Sequence, residues 1–315
     1  MLAVPGSGGT VRIFVTGASG FIGSRLVRDL LRRGEEVVAI TRDRRRLGSG
    51  GDRFQVVQGD PAQAGPWQEQ LAGCDAVVAL AGEPLVGRRW TGAFRARITQ
   101  SRIGGVERLV EALARVPSEK RPAVLLSASA IGYYGDRGAE ELTEDSPPGT
   151  GFLADLCVRW EAAARGAAEL GLRVVTLRLG VVLGEGGALR RMVPAFRAFV
   201  GGPIGSGHQY LSWIHMSDAV GLILMGLDRR DVQGPINLTA PAPVTMAEFA
   251  RTLGQVLHRP ALLRVPGPLV RLALGEAASV LLASQRVLPR RAQQLGYRFQ
   301  YPHLPDALSD LAPRL

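Results

Sequence analysis

The chain has 315 residues, 46% hydrophobic and 21% charged, enough to bury one large α/β core and a smaller appendage. Its net charge is +10, yet the cations are almost all arginine (Lys120 is the only lysine) and scattered, apart from Arg42, Arg44, Arg45 and Arg46. With no nucleic-acid motif beside them, no nucleic-acid partner is expected. No apolar run reaches the roughly 18 residues of a membrane span, so no membrane partner is expected either. Two cysteines without paired spacing, Cys74 and Cys157, fit neither a disulfide framework nor a zinc site and suit a reducing cytoplasm.

Residues 1–10 (MLAVPGSGGT) read as a flexible leader. Val11 to Thr16 is an apolar, β-branched strand running into glycines 17, 20 and 23. A helical pattern follows at once, with Phe21, Ile22, Leu26, Val27, Leu30 and Leu31 on one side, and Gly34 ends it. Strand, glycine loop and helix form the context of a dinucleotide site. Gly17 permits the tight turn, Gly20 lets backbone approach a pyrophosphate, and Gly23 lets the helix lie close to the strand. Ser19, Phe21 and Ile22 belong to the same candidate surface. The free N–H groups of the helix face the phosphates.

Further strands are expected at Glu36–Thr41, Phe54–Val57, Asp75–Leu80, Ala123–Ser127 and Arg173–Arg178, with helical stretches from Arg89 to Arg115 and Phe152 to Leu170. Alternating β and α with apolar strands predicts a Rossmann-type doubly wound parallel sheet. This α/β fold carries the NAD(P)-binding unit, 11–180. Past Gly180 glycine-rich turns appear, then a short helix near Met216–Leu227, a strand at Pro235–Leu238 and helices from Thr245 onward. A smaller substrate-side lobe, 181–260, is expected, with later strands returning to the sheet. Gly205 to Gln209 reads as its substrate-side loop. No histidine has metal-ligand spacing, so no metal is expected.

The second strand ends in Thr41-Arg42 rather than an acidic residue. An arginine there suits the 2′-phosphate of NADP(H), so NADP(H) is favoured over NAD(H), with Asp43 the counter-signal. Asp60 suits either an adenine contact or a turn. Leu80, Ala81, Gly82 and Glu83 close the fourth strand, where small residues let the cofactor's middle pass.

These motifs resemble the extended short-chain dehydrogenase/reductase superfamily. Closer still, the chain resembles its atypical "epimerase family", sometimes labelled nucleoside-diphosphate-sugar epimerases. The segments that carry this are LAGEPL (80–85), RRW (88–90), SRIGGVERLV (101–110), SASAIGYYGD (127–136), WEAAA (160–164), RLGVVLGEGGAL (178–189) and GGPIGSGHQYLSWIHMSD (201–218). The end, VLLASQRVLPRRAQQLGYRFQYP (280–302), is similar to that family's C-terminal domain of unassigned function, expected over 261–309. The resemblance implies cofactor contacts at Arg42, at Leu80, Ala81 and Glu83, and at Arg102, with Arg97 also facing the cofactor.

Chemistry in this superfamily normally needs Tyr-x-x-x-Lys, the tyrosine moving a proton and the lysine lowering its pKa and holding the ribose. Counting back from Glu161 puts these positions on Leu153 and Cys157, and no other Tyr-x-x-x-Lys exists. Ser129 fits the superfamily serine. Tyr133 or Tyr134 is the candidate acid, unless the pair packs the loop. Cys157 reads as a small buried hydrophobe. His215 reads as structural, with Asp218 capping the next helix. The implied function is an NADP(H)-dependent oxidoreductase or epimerase for a small polar or sugar-like substrate. The alternative is a catalytically weak NADP(H)-binding regulatory protein, since some relatives are linked to cell or plastid division.

Overall fold

The computed structural model describes residues 10–48 and 50–315, so the expected leader, apart from Thr10, lies outside the described residues. Seven strands form one sheet: β1 Arg12–Thr16, β2 Glu36–Thr41, β3 Phe54–Gln58, β4 Ala76–Ala79, β5 Val124–Ala130, β6 Arg173–Leu179 and β7 Gly234–Leu238. Their order is β7-β6-β5-β4-β1-β2-β3, and every neighbouring pair is parallel. The order reverses between β1 and β4, and ligands of such sheets bind outside the strand ends at that reversal.

The strands are apolar throughout because both faces are covered. In β1, Ile13 and Val15 join one core while Phe14 joins the other. The first core takes in α1 (Phe21–Arg32) through Leu26, Val27 and Leu30. Fully buried side chains such as Leu26 each contribute about 2 kcal/mol. The second core takes in α2 (Gly92–Thr99), α3 (Gly105–Arg115) and α4 (Phe152–Arg165) through Phe94, Ile98, Leu109, Leu113, Leu156 and Trp160. The predicted long helix 89–115 thus starts later, at Gly92. A π-turn at Gln100–Gly104 also interrupts it.

Beyond β6, α5 (Gly187–Arg197) is followed by α6 (Met216–Asp228), α7 (Met246–Leu257), α8 (Gly267–Leu274) and α9 (Leu304–Leu311). One helix expected within the lobe belongs instead to the central unit, and β7 is a later strand that returns to the sheet. Helix α6 packs beside α1 under the sheet, and β7 forms its edge. Leu189, Phe196, Trp213, Phe249 and Leu253 of the lobe form one core with Leu304 and Leu308 of α9, from the C-terminal segment.

One expected cap is exchanged. His215 Nδ1 accepts from Ser217 N at 3.2 Å and so caps α6 itself. The buried Asp218 carboxylate instead accepts from the Gln300 and Tyr301 amides at 2.8 and 3.0 Å, tying down the aromatic tail. The loop expected on the substrate side is held against the C-terminal segment. Its backbone pairs with the 263–265 strap (Gly205 N to Val265 O, 2.8 Å; Val265 N to Pro203 O, 3.0 Å), and Gln209 Nε2 donates to Ile204 O at 2.7 Å. Among the described residues no helix is long and apolar enough to cross a membrane.

Candidate functional site

The turn after β1 is built by close backbone approach. Gly17 has φ +71°, and a Cβ there would lie 2.7 Å from the Leu80 carbonyl carbon. A Cβ on Gly23 would lie 2.1 Å from Gly17 O, so only glycine lets α1 start this close to the loop. Gly20 N donates to Gly17 O at 2.9 Å. The first turn of α1 has no side-chain cap and no acidic residue. Its amides therefore stay available to an anion, beside the half-buried Ser19.

At the end of β2 the four arginines divide. Arg44 donates to Val56 O at 2.9 Å, and Arg45 to Asp43 Oδ1 at 3.3 Å. Asp43 is also taken up by the turn it caps, accepting from Arg45 N at 3.1 Å. The Thr41 hydroxyl bonds the Asp43 backbone, donating to its carbonyl at 3.1 Å. Arg42 is exposed and makes no hydrogen bond or ion pair among the described residues, so its guanidinium stands open to a ligand. Asp60 acts as a turn residue here, its carboxylate accepting from Ala62 N at 3.0 Å.

A cleft of about 990 Å³ opens at the switch point, beside this loop. Phe21, Ile22, Leu80, Ala81 and Gly82 line it, while Glu83 does not and its amide donates to Ser101 Oγ at 3.0 Å. Leu153 and Cys157 both face the cleft, where a tyrosine and a lysine would project. Burial pushes the Cys157 thiol up to about 11. Ser129 also lines the cleft, 1% exposed, and its hydroxyl donates to Glu161 Oε1 at 2.8 Å. Arg102 reaches the cleft from the π-turn. Its Nη1 is buried with no hydrogen-bond partner, and burial lowers its pKa to about 10.

The structure turns three candidates away from the cleft. Tyr134 is fully buried, its hydroxyl donating to Asn237 Oδ1 at 2.7 Å and accepting from Arg178 Nη1 at 2.9 Å. Burial pushes that phenol up to about 12. Tyr133 lies under the Arg178 guanidinium, 3.6 Å from ring centre to Cζ. Neither tyrosine lines the cleft, so the expectation that one of them is the acid is corrected. Arg97 is exposed on the outer face of α2, its guanidinium 5.1 Å from the Phe94 ring centre, and does not reach the cleft.

Behind the floor lies a buried polar network that the sequence reading missed. Arg178 pairs with Glu161 through Nε–Oε1 at 2.9 Å and Nη2–Oε2 at 3.0 Å. Burial alone would lower the Arg178 pKa, but its bonds to Glu161 and Tyr134 hold it above the usual value. Glu144 accepts from Asn237 N at 3.0 Å, and burial raises its pKa. Arg178 and Asn237, polar residues inside otherwise apolar strands, were the available signal.

The outer wall was also missed. Arg271, Glu276, Ser279 and Gln285 line the cleft, all from the C-terminal segment. Gln285 Nε2 donates to Ile131 O at 2.9 Å and Gly135 O at 3.0 Å, stitching this segment to the loop after β5. Glu276 pairs with Arg95 at 2.7 Å across the mouth.

Comparison with known proteins agrees with this architecture. Residues 13–238 match the NAD dependent epimerase/dehydratase family, and residues 265–311 match a domain of unknown function (DUF1731). An Arabidopsis thaliana relative, "Epimerase family protein SDR39U1 homolog, chloroplastic", is 42% identical over 94% of this chain and 85% of its own. The crystal structure of human epimerase family protein SDR39U1 (isoform2) with NADPH is 36% identical, with a TM-score of 0.86 over 97% of this chain and 100% of that one. MoeE5 in complex with UDP-glucose and NAD shares the fold (TM-score 0.76, 23% identity, 96% and 98% coverage). The chain belongs to the NAD dependent epimerase/dehydratase family and carries a C-terminal match to DUF1731.

Proposed function

We propose that the chain binds NADP(H) and acts as an oxidoreductase or epimerase on a small substrate held in the cleft, in a reducing, cytoplasmic setting. One observation carries this reading: the glycine cradle and open end of α1 adjoin the large cleft lined by Ser129 and Arg102. The human relative was crystallised with NADPH, which supports the same cofactor here. Gly17, Ser19, Gly20 and Gly23 would hold the pyrophosphate. Arg42, beside the Thr41 strand end, would meet the 2′-phosphate. Phe21, Ile22, Leu80, Ala81 and Gly82 would flank the cofactor's middle, and Arg102 would approach from the far side.

When bound, the nicotinamide supplies hydride exchange. Ser129 is anchored by its bond to Glu161, so its oxygen is fixed in place to accept from a substrate hydroxyl. With Leu153 aliphatic and both tyrosines turned away, the proton at the substrate oxygen comes from water. The aliphatic position 153 also favours the second reading, a weakly catalytic NADP(H)-binding regulatory protein.

Nucleotide fluorescence titration tests the cofactor reading. Wild-type protein is expected to bind NADPH more tightly than NADH, and Arg42→Ala to abolish that preference. An unchanged ratio refutes the role of Arg42. Loss of NADPH-dependent turnover of carbonyl compounds or nucleotide sugars in Ser129→Ala supports the enzyme. Tight NADPH binding without turnover of any of them supports the regulatory protein.

A further inference from the structure

Besides the residues of the glycine loop, the cleft is walled by Ile131, Phe152, Leu153, Val182, Val280 and Leu282. Trp90 meets Phe152 edge to face, 5.5 Å between ring centres. The polar side chains set among them are engaged inside the protein. Asp136 accepts from Ser284 N at 3.1 Å, and the Ser279 hydroxyl donates to Glu276 O at 2.7 Å. Gln285 uses its Nε2 protons on Ile131 O and Gly135 O, and the Trp90 indole donates to Leu85 O at 2.9 Å. The Ser129 hydroxyl donates to Glu161, so toward the cleft its oxygen offers only acceptance.

The C-terminal wall adds charge to these apolar surfaces. Arg271 of α8 lines the cleft, is exposed, and makes no hydrogen bond, ion pair or ring contact among the described residues. Arg95 is the second cation. Its Nη2 pairs with Glu276 at 2.7 Å, its Cζ lies 4.9 Å from the Phe152 ring centre, and its Nε is buried without a partner. Glu276 therefore matches one guanidinium of this wall and leaves the Arg271 charge open. A carboxylate is the group that a free guanidinium holds best, through paired N–H donors.

We propose that the substrate of this cleft is an apolar hydroxy acid: its hydroxyl donates to Ser129, its hydrocarbon body lies against the aliphatic and aromatic walls, and its carboxylate meets Arg271. A sugar ring brings several hydroxyls, and each loses affinity when it leaves water without a partner. The engaged side chains of this cleft supply few such partners. A hydrocarbon body gains from the same walls, about fourfold in affinity per methylene buried. The proposal names the substrate class for the NADP(H)-dependent oxidoreductase or epimerase reading above and rests on it. It departs from the small polar or sugar-like substrate that the sequence implies.

Isothermal titration calorimetry on the full chain tests this, with NADPH titrated first and then kept saturating. The ligands are 6-hydroxyhexanoate, 8-hydroxyoctanoate, octane-1,8-diol and UDP-glucose. The longer acid is expected to bind about tenfold more tightly than the shorter one, as two further buried methylenes do. The diol, which lacks the carboxylate, binds about threefold or more weakly than the longer acid. Arg271→Ala brings the longer acid down to the level of the diol, leaves the diol and NADPH affinities unchanged, and Arg271→Lys restores most of the loss. UDP-glucose binds more weakly than the longer acid in every case. Equal affinity for the two acids, a diol that binds as well as the longer acid, an Arg271→Ala variant that binds the acid like wild type, or tighter binding of UDP-glucose each overturns the proposal. So does NADPH binding with no binding of either acid, a result that leaves the cofactor reading intact. A folded wild type that binds no NADPH overturns that cofactor reading instead, and the same acid titrations on the free protein then decide the hydroxy-acid site.

Discussion

Tyr134→Phe separates structure from chemistry at the floor of the cleft. The phenol both donates to Asn237 Oδ1 at 2.7 Å and accepts from Arg178 Nη1 at 2.9 Å. Removing it leaves the two partners unequal. Arg178 Nη1 keeps the Glu144 carbonyl at 3.1 Å, whereas the buried Asn237 Oδ1 loses its donor. One orphaned buried acceptor costs about 1–3 kcal/mol, and the lost bond to a guanidinium places the total near the upper end, about 2–3 kcal/mol. No atom is added, so no overpacking offsets this. Urea unfolding followed by fluorescence should show a lower midpoint at unchanged slope, since the exposed surface is the same. NADPH affinity should stay within about twofold of wild type, because the hydroxyl lies outside the cleft. A variant as stable as wild type that loses NADPH binding or turnover would refute this reasoning and return Tyr134 to the chemistry.

Two further perturbations address the loop and the C-terminal lobe. Gly23→Ala forces a methyl to within 2.1 Å of Gly17 O, a backbone atom that cannot swing aside. It should lower stability by more than about 2 kcal/mol and weaken NADPH and NADH alike, and a variant that melts and binds like wild type would contradict the packing argument. The second concerns pH. Burial holds the His215 pKa below its ordinary 6.5, with the nearby Asp310 only partly offsetting it. Below pH 6.5 the unfolded chain therefore binds a proton that the folded chain resists. Stability is full above that pH and declines as pH falls toward 5. His215→Asn, which retains a capping side chain for α6, should flatten the decline between pH 6.5 and 5; the same slope in both proteins would rule out His215 as its source.

Much of the central fold was legible because its signals are local. Apolar strands, glycine spacing and helical periodicity over 11–32 each depend on neighbours a few residues away, and β1, α1 and β2 sit almost where predicted. The acid assignment went astray for the opposite reason. Tyr133 and Tyr134 follow β5 closely, but sequence proximity to Ser129 does not say on which side of the floor a ring lies. The side was decided by Arg178, Asn237 and Glu144, brought from 10 to more than 100 residues away. Arg97 and Arg102 looked alike on one helix, and a single inserted π-turn residue between them and the core sends them to different surroundings.

By itself the sequence determined that a parallel sheet would form with a glycine cradle at its first strand, an arginine at the second, and leucine and cysteine where a tyrosine and lysine usually stand. Backbone stereochemistry and apolar periodicity act at short range, so they survive without knowledge of the rest of the chain. Only the tertiary structure decided which polar groups meet: the burial of Tyr134, the buried and unpartnered Nη1 of Arg102, and the C-terminal wall of Arg271, Glu276, Ser279 and Gln285 over the cleft. Those pairings arise from the packing of distant segments, where each buried donor must find an acceptor or await one from a ligand.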